Sequence, residues 1–242
     1  MTKGKTLDVK SFVAKKPALV ILVVMLLAFS LLIPNFFSVY NFVNILSSFS
    51  IYGVVTVAMA FALICGEFDL SIGSTMALSS LVFALVIDKH SFFLALLAAL
   101  LVGAVIGAVN GFLVSKFSIA SFVVTMGMQI TVKGAALFLT DAQPVAIYKE
   151  ICYRIGNGTL LGIPYLVWFF FLTVLLADCV LRYLPFGRGL YAVGGNYVMA
   201  ENAGIRVKMY KFMIFFILGI ASAIGGVMMA CRISAGKVGG QA

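Results

Sequence analysis

Two carboxylates stand in the segment Gly66-Glu67-Phe68-Asp69-Leu70-Ser71-Ile72-Gly73-Ser74, between two apolar runs. Paired carboxylates can serve acid–base catalysis, but no nucleophile or second cluster accompanies Glu67 and Asp69, so no catalytic residue is assigned. A charge at the centre of a membrane helix costs about 2.5–3.5 kcal/mol on insertion scales, which places both at a membrane edge or in a protein-lined cavity. The neighbouring glycines and serines suit a broken helix whose first turn is capped by Asp69 or Ser71. A second constellation is Ser118, Ser121, Thr125, Gln129 and Lys133, spaced by three and four residues as one stripe of a helix. Polar groups facing lipid would be unsatisfied, so the stripe is expected to face a bundle interior or a water-filled path. Lys133 lies about 21 Å along such a helix from Ile119, and either reaches the outer interface or serves the path.

The remaining reactive residues are sparse. His90 is the single histidine, beside Asp88 and Lys89 in a short turn, and reads as a solvated loop residue. Cys65, Cys152, Cys179 and Cys231 are widely separated with no C-x-x-C, so neither a disulfide nor a metal site follows from spacing. No cofactor is implied. There is no G-x-x-x-x-G-K-[ST] either, since Gly236-Lys237-Val238 lacks the first glycine and the hydroxyl. A chain of this kind driven by ATP would take it from another subunit.

The elements that must hold these residues are membrane spans. Of 242 residues, 63% are hydrophobic and 10% charged, against about 25% charged in soluble domains. Seven apolar segments, near 18–37, 43–65, 70–87, 92–114, 119–139, 164–184 and 212–231, approach or exceed the roughly 18–20 residues that span hydrocarbon. The expected fold is an all-α membrane protein, a polytopic helix bundle of about seven spans in the lipid bilayer. The net charge of +9 is no nucleic-acid signal, because the basic residues cluster at the N-terminus and in one late loop. Lys3, Lys5, Lys10, Lys15 and Lys16 place segment 1–17 in the cytoplasm. No small-residue cleavage pattern follows, so the first apolar stretch is an uncleaved span. Alternate counting then puts 66–69, 115–118 and 185–211 on the cytoplasmic side. The late segment carries Arg188, Arg206, Lys208 and Lys211, so both basic clusters agree. The same count sends Arg232 and Lys237 outside, against the rule. Gly103, Gly107 and Gly111 on the fourth span, and Gly219, Ser222, Ala223 and Gly226 on the seventh, are the small-residue seams by which membrane helices associate.

In the segment 185–211, glycines and Asn196 are expected to break the chain before a short helix from Tyr197 to Ala203. Asn196 would cap its start and Gly204 its end. Such a helix suits docking onto a soluble partner or an ordinary interfacial turn. Here Gly187-Arg-Gly-Leu-Tyr-Ala-Val-Gly-Gly-Asn196 and Ala203-Gly-Ile-Arg-Val207 resemble the coupling loop of ribose-type ABC sugar permeases. Gly66 to Ser74 resembles that family's G-G-x-D-L-S-x-G-S, and Val124 to Pro144 supplies a third match in the same order. Glu67 in place of the commoner glycine, Lys133 in place of arginine and Glu201 in place of a basic residue depart from the pattern.

The resemblance implies a permease subunit for a monosaccharide such as ribose, xylose or a galactose-like sugar, in a bacterial cytoplasmic membrane. It implies an ABC ATPase docking on Gly194, Gly195, Asn196, Ala203, Gly204 and Ile205, and a periplasmic or lipid-anchored sugar-binding protein. A second permease copy, identical or not, would complete the pore. Segment 18–242 would then form the permease domain, and the family's further spans suggest that it is C-terminally truncated. Translocation-path candidates are Ser121, Thr125, Gln129, Lys133, Glu67 and Asp69. Two rivals from other classes are an ion-coupled secondary transporter using Glu67 or Asp69, and a non-transporting membrane scaffold.

Overall fold

The computed structural model describes residues 17–236, and the protein divides into two compact units, Met1–Ile45 and Leu46–Ala242. In the first unit, helix α1 spans Pro17–Leu32 and is apolar throughout. It ends five residues before the expected span does, because Pro34 cannot continue a helix and Asn35 takes a left-handed conformation (φ 60°). Ser38 then accepts a hydrogen bond from the Asn41 N–H (3.1 Å) and opens helix α2, Val39–Ile64, which runs on into the second unit.

The second unit continues with α3 (Ile72–Ile87), α4 (Phe92–Phe117) and α5 (Ser121–Leu139). Strand β1 (Val145–Ala146), helix α6 (Glu150–Asn157) and the hairpin of β2 (Thr159–Leu160) with β3 (Ile163–Pro164) follow. Helices α7 (Tyr165–Tyr183), α8 (Pro185–Gly195), α9 (Tyr197–Asn202) and α10 (Val207–Ile233) and strand β4 (Ala235–Gly236) complete it. Among the described residues, five helices, α2, α4, α5, α7 and α10, are long and apolar enough to cross a membrane, while α1 and α3 are apolar but only 16 residues each. The protein is thus an all-α polytopic bundle. Helix α3 is short because residues 66–71, expected to include its start, are not helical.

Helix α10 lies at the centre of the second unit. Its small residues meet those of α4, which runs in the opposite direction: a Cβ on Gly103 would fall on the Gly219 carbonyl oxygen, and one on Gly107 on the Phe215 carbonyl. The two seams read from the sequence therefore pack against each other. On its other side Gly226 abuts the Met76 carbonyl of α3. Around this axis sit the buried Phe83, Phe215, Leu190, Ile214 and Leu218.

The connections fall at two ends. One end gathers residues 65–71, the turn 118–120 and the α8–α9 segment, where a Cβ on Gly194 would strike the Ile64 carbonyl. The other gathers 88–91, 140–164 and 234–236. There β1 pairs antiparallel with β4, Val145 opposite Gly236, and the Tyr148 N–H donates to Asp88 (3.3 Å). His90 in that turn is exposed, as expected. The alternation inferred for 66–69, 115–118 and 185–211 thus holds within this unit. Arg232, awkward in the sequence, lies at the opposite end and donates to Asn157 Oδ1 (2.5 Å) and to the Gly156 carbonyl (3.4 Å).

Replacing Gly219 with leucine drives a side chain into the α4 backbone, an overpacking that costs about 1–3 kcal/mol or more. Gly127→Leu, on an open stretch of α5 with no atom near its Cβ position, serves as the control. Thermal melting in detergent should show a lowered midpoint, or loss of folded protein, for the first variant alone.

Candidate functional site

Residues 66–71 leave the end of α2 with Gly66 in a left-handed conformation (φ 78°) and run as chain without helix to Ser71. Inside a bundle, such a segment needs a partner for each buried N–H. The Glu67 N–H donates to the Ala62 carbonyl (2.9 Å), Phe68 to Ser121 Oγ (3.2 Å) and Leu70 to Thr125 Oγ1 (3.1 Å). The Ser71 N–H donates to Asp69 Oδ1 (2.7 Å), which also accepts from the Ser71 hydroxyl (2.6 Å). That hydroxyl in turn accepts from Asn110 Nδ2 of α4 (2.9 Å). Two hydroxyls of α5 and one carboxylate thus substitute for helical partners, and the buried Asn110 amide holds the Ser71 hydroxyl.

Ser71 occupies the N-cap position of α3, but its side chain does not bond the helix N–H groups, since its hydroxyl is committed to Asp69 and Asn110. Capping therefore takes another form than expected: Asp69 orders the residues just before the helix. Burial pushes the Asp69 carboxyl above its ordinary value, and the Ser71 and Asn110 donors pull it back. Glu67, 8% exposed, forms an ion pair with Lys211 at the start of α10 (2.5 Å). This contact joins the loop after α2 to the central helix.

Of the five stripe residues, Ser118 falls off α5 as the left-handed C-cap of α4 (φ 55°), and of the other four the structure keeps two together and separates two. Ser121 and Thr125 are buried, and the inward face continues through Val132 and Ala136. Gln129 and Lys133 are exposed, so the stripe is not one buried face. The reason is geometric: steps of four residues drift about 40° each against a 3.6-residue turn, turning Lys133 about 120° from Ser121. Sequence reasoning missed Asn110, whose signal was a lone amide within a 26-residue apolar helix. It also did not pair Lys211 with Glu67, since 144 residues separate them and no local spacing links them.

The second constellation is α8–α9. Pro185–Gly195, expected to be broken by its glycines, is helical instead. Pro185 at the first turn suits its φ to a helix start, and buried Leu190 and Val193 hold the helix against the bundle. Phe186 stacks on Tyr210 of α10, with centroids 5.3 Å apart. Asn196 caps α9 by accepting from the Met199 N–H (3.0 Å). Gly204 takes φ 81°, with Gly204 N–H donating to Glu201 O (2.9 Å) and Ile205 N–H to Ala200 O (3.0 Å). That pair of bonds is a Schellman closure. Both caps expected for this helix are present. Gly194, Gly195, Ala203 and Gly204 are exposed, Ile205 is half-buried, and Tyr191, Tyr197, Val198 and Met199 project apolar surface around them.

Asp69 is held by Ser71 and Glu67 by Lys211, so both carboxylates tie segments of the fold together, which disfavours the ion-coupled rival. The geometry defines a multi-pass helical membrane protein with a small, firmly seated helical knob at one end. The chain belongs to the family described as the branched-chain amino acid transport system / permease component, matched over residues 41–240. It is a permease component.

The chain is 29% identical over 244 residues to the ribose import permease protein of Haemophilus influenzae, covering 98% of this chain and 76% of that one. It is 30% identical over 239 residues to the ribose import permease protein of Escherichia coli K12, covering 97% and 74%. It is 34% identical over 217 residues to the L-arabinose ABC transporter permease protein of Azospirillum brasilense, covering 89% and 64%. No solved structure matches the chain.

Breaking the Glu67–Lys211 pair strands a buried carboxylate. Lys211→Met should cost about 2–4 kcal/mol, below the full loss for a buried pair because Lys211 is itself partly exposed. Glu67→Gln combined with Lys211→Met should recover more than half of that loss, read as thermal midpoints in detergent.

Proposed function

We propose that the chain is the membrane-spanning permease subunit of an ATP-driven importer for a monosaccharide, in the bacterial cytoplasmic membrane. The end bearing residues 65–71 and α8–α9 is cytoplasmic. An ATPase subunit docks on the α8–α9 knob, a sugar-binding protein delivers the solute on the other side, and a second permease copy completes the pore. The sugar class rests on the relatives, which are ribose and L-arabinose permeases.

The observation that carries the docking role is the knob itself. Its tip exposes Tyr197, Val198 and Met199, while Leu190, Val193 and Ala200 anchor it in the core. A force on the tip passes through Phe186 to Tyr210 on α10, and through the Gly194 contact to the end of α2. The Glu67–Lys211 pair links those two helices, and the bonds from Phe68 and Leu70 extend the linkage to α5. Closure of the ATPases can thereby bias a two-state bundle. Gln129 and Lys133 serve the path from the exposed side of α5, and Ser121, Thr125 and Asp69 hold its cytoplasmic end in shape.

Gly204→Val tests this directly. Valine resists positive φ, so the Schellman closure should fail. The variant permease should be inserted normally but lose co-purification of the ATPase and solute-stimulated ATP hydrolysis in liposomes. Unchanged co-purification and stimulation would remove the knob from the coupling role. Reporters fused at residues 150 and 195 should report outside and inside, respectively; finding both on one side would overturn the orientation.

A further inference from the structure

The end opposite the knob holds two cysteines that the transport role does not use. Cys152 of α6 and Cys231 of α10 are both fully buried, members of one apolar cluster with Phe83, Ala95, Ile147 and Ala230. They lie 79 residues apart in sequence, yet both side chains pack in this one cluster and their thiols interact. The backbones around them approach closely: a Cβ on Gly156 would fall on the Cys231 carbonyl oxygen. Arg232 donates to Asn157 Oδ1, and Asn157 Nδ2 reaches the Arg232 carbonyl (3.5 Å), so α6 is held against α10 just beyond Cys152.

We propose that Cys152 and Cys231 close as a disulfide that fastens α6 to the outer end of α10. The proposal rests on the orientation given above, because only that orientation puts this end in the oxidising compartment. The oxidant is a protein disulfide of that compartment. One cysteine thiolate attacks one of its sulfurs, breaking the oxidant's S–S bond, forming a mixed disulfide and releasing one oxidant thiolate. The other cysteine thiolate then attacks the first cysteine's sulfur and expels the second. The oxidant gains two electrons, and both cysteine protons go to solvent. Both sulfurs are inaccessible once packed, so exchange occurs as α6 docks during assembly. Cys65 and Cys179 are not in this pair: Cys65 is buried at the knob end, and Cys179 is exposed on α7.

The test counts thiols on the full chain, denatured directly from native membranes in acid and treated with a maleimide–polyethylene glycol, with and without prior reduction. Two of the four cysteines should label without reductant and all four with it. Cys152→Ser and Cys231→Ser should each show three labelled thiols whether or not reductant is added. Peptide mapping of the unreduced wild-type chain gives the linkage directly if a serine variant fails to fold. Four labelled thiols without reductant would overturn the disulfide, as would a blocked thiol persisting in Cys152→Ser. The residue-150 reporter separates the causes. Four free thiols with that reporter outside defeat the disulfide alone, and with it inside they defeat the orientation as well.

Discussion

The second unit depends on the backbone contact between α4 and α10. At Gly103, Gly107 and Gly219 there is no room for a side chain, so the two helices touch through carbonyl oxygens and Cα atoms. In a bilayer, apolar side chains gain little by leaving lipid for each other, so close van der Waals packing supplies association. Once α10 lies in that groove, its other face receives α3 through Gly226, and its ends are available to the two sets of connections.

The same axis makes a broken segment tolerable. Residues 66–71 would be costly in hydrocarbon, with several N–H groups outside any helix. They persist because α5 brings Ser121 and Thr125 to them, α4 brings Asn110, and α10 brings Lys211. Three helices thus converge on one short segment, and the polar residues that looked like a transport site are first of all its supports. This role divides the stripe, with Ser121 and Thr125 inside and Gln129 and Lys133 facing out.

The two ends of the unit are built differently, and this suits the proposed division of labour. At one end a compact knob, capped at both ends and stacked on α10, can pass a push into the bundle without deforming. At the other, α6, a two-residue strand pair and the Arg232–Asn157 contacts close the helices over. A rigid closure there and a rigid handle at the knob leave motion to the helices between them.

The sequence alone determined the class of fold, the alternation of connections between two ends, the positions of the small-residue seams and the caps of α9. These are local matters: apolar run length, helical spacing, and the demand of a single residue such as Asn196 or Gly204 for one backbone conformation. Tertiary structure decided which polar groups meet. Spacing could not show that Glu67 would find Lys211, that Asn110 would reach Ser71, or that Cys152 and Cys231 would share one cluster, since each pair spans 39 to 144 residues. Nor could glycine content reveal that Pro185–Gly195 is helical. The propensity cost of its glycines is local, while the burial of Leu190 and Val193 that offsets it exists only once the helices have assembled.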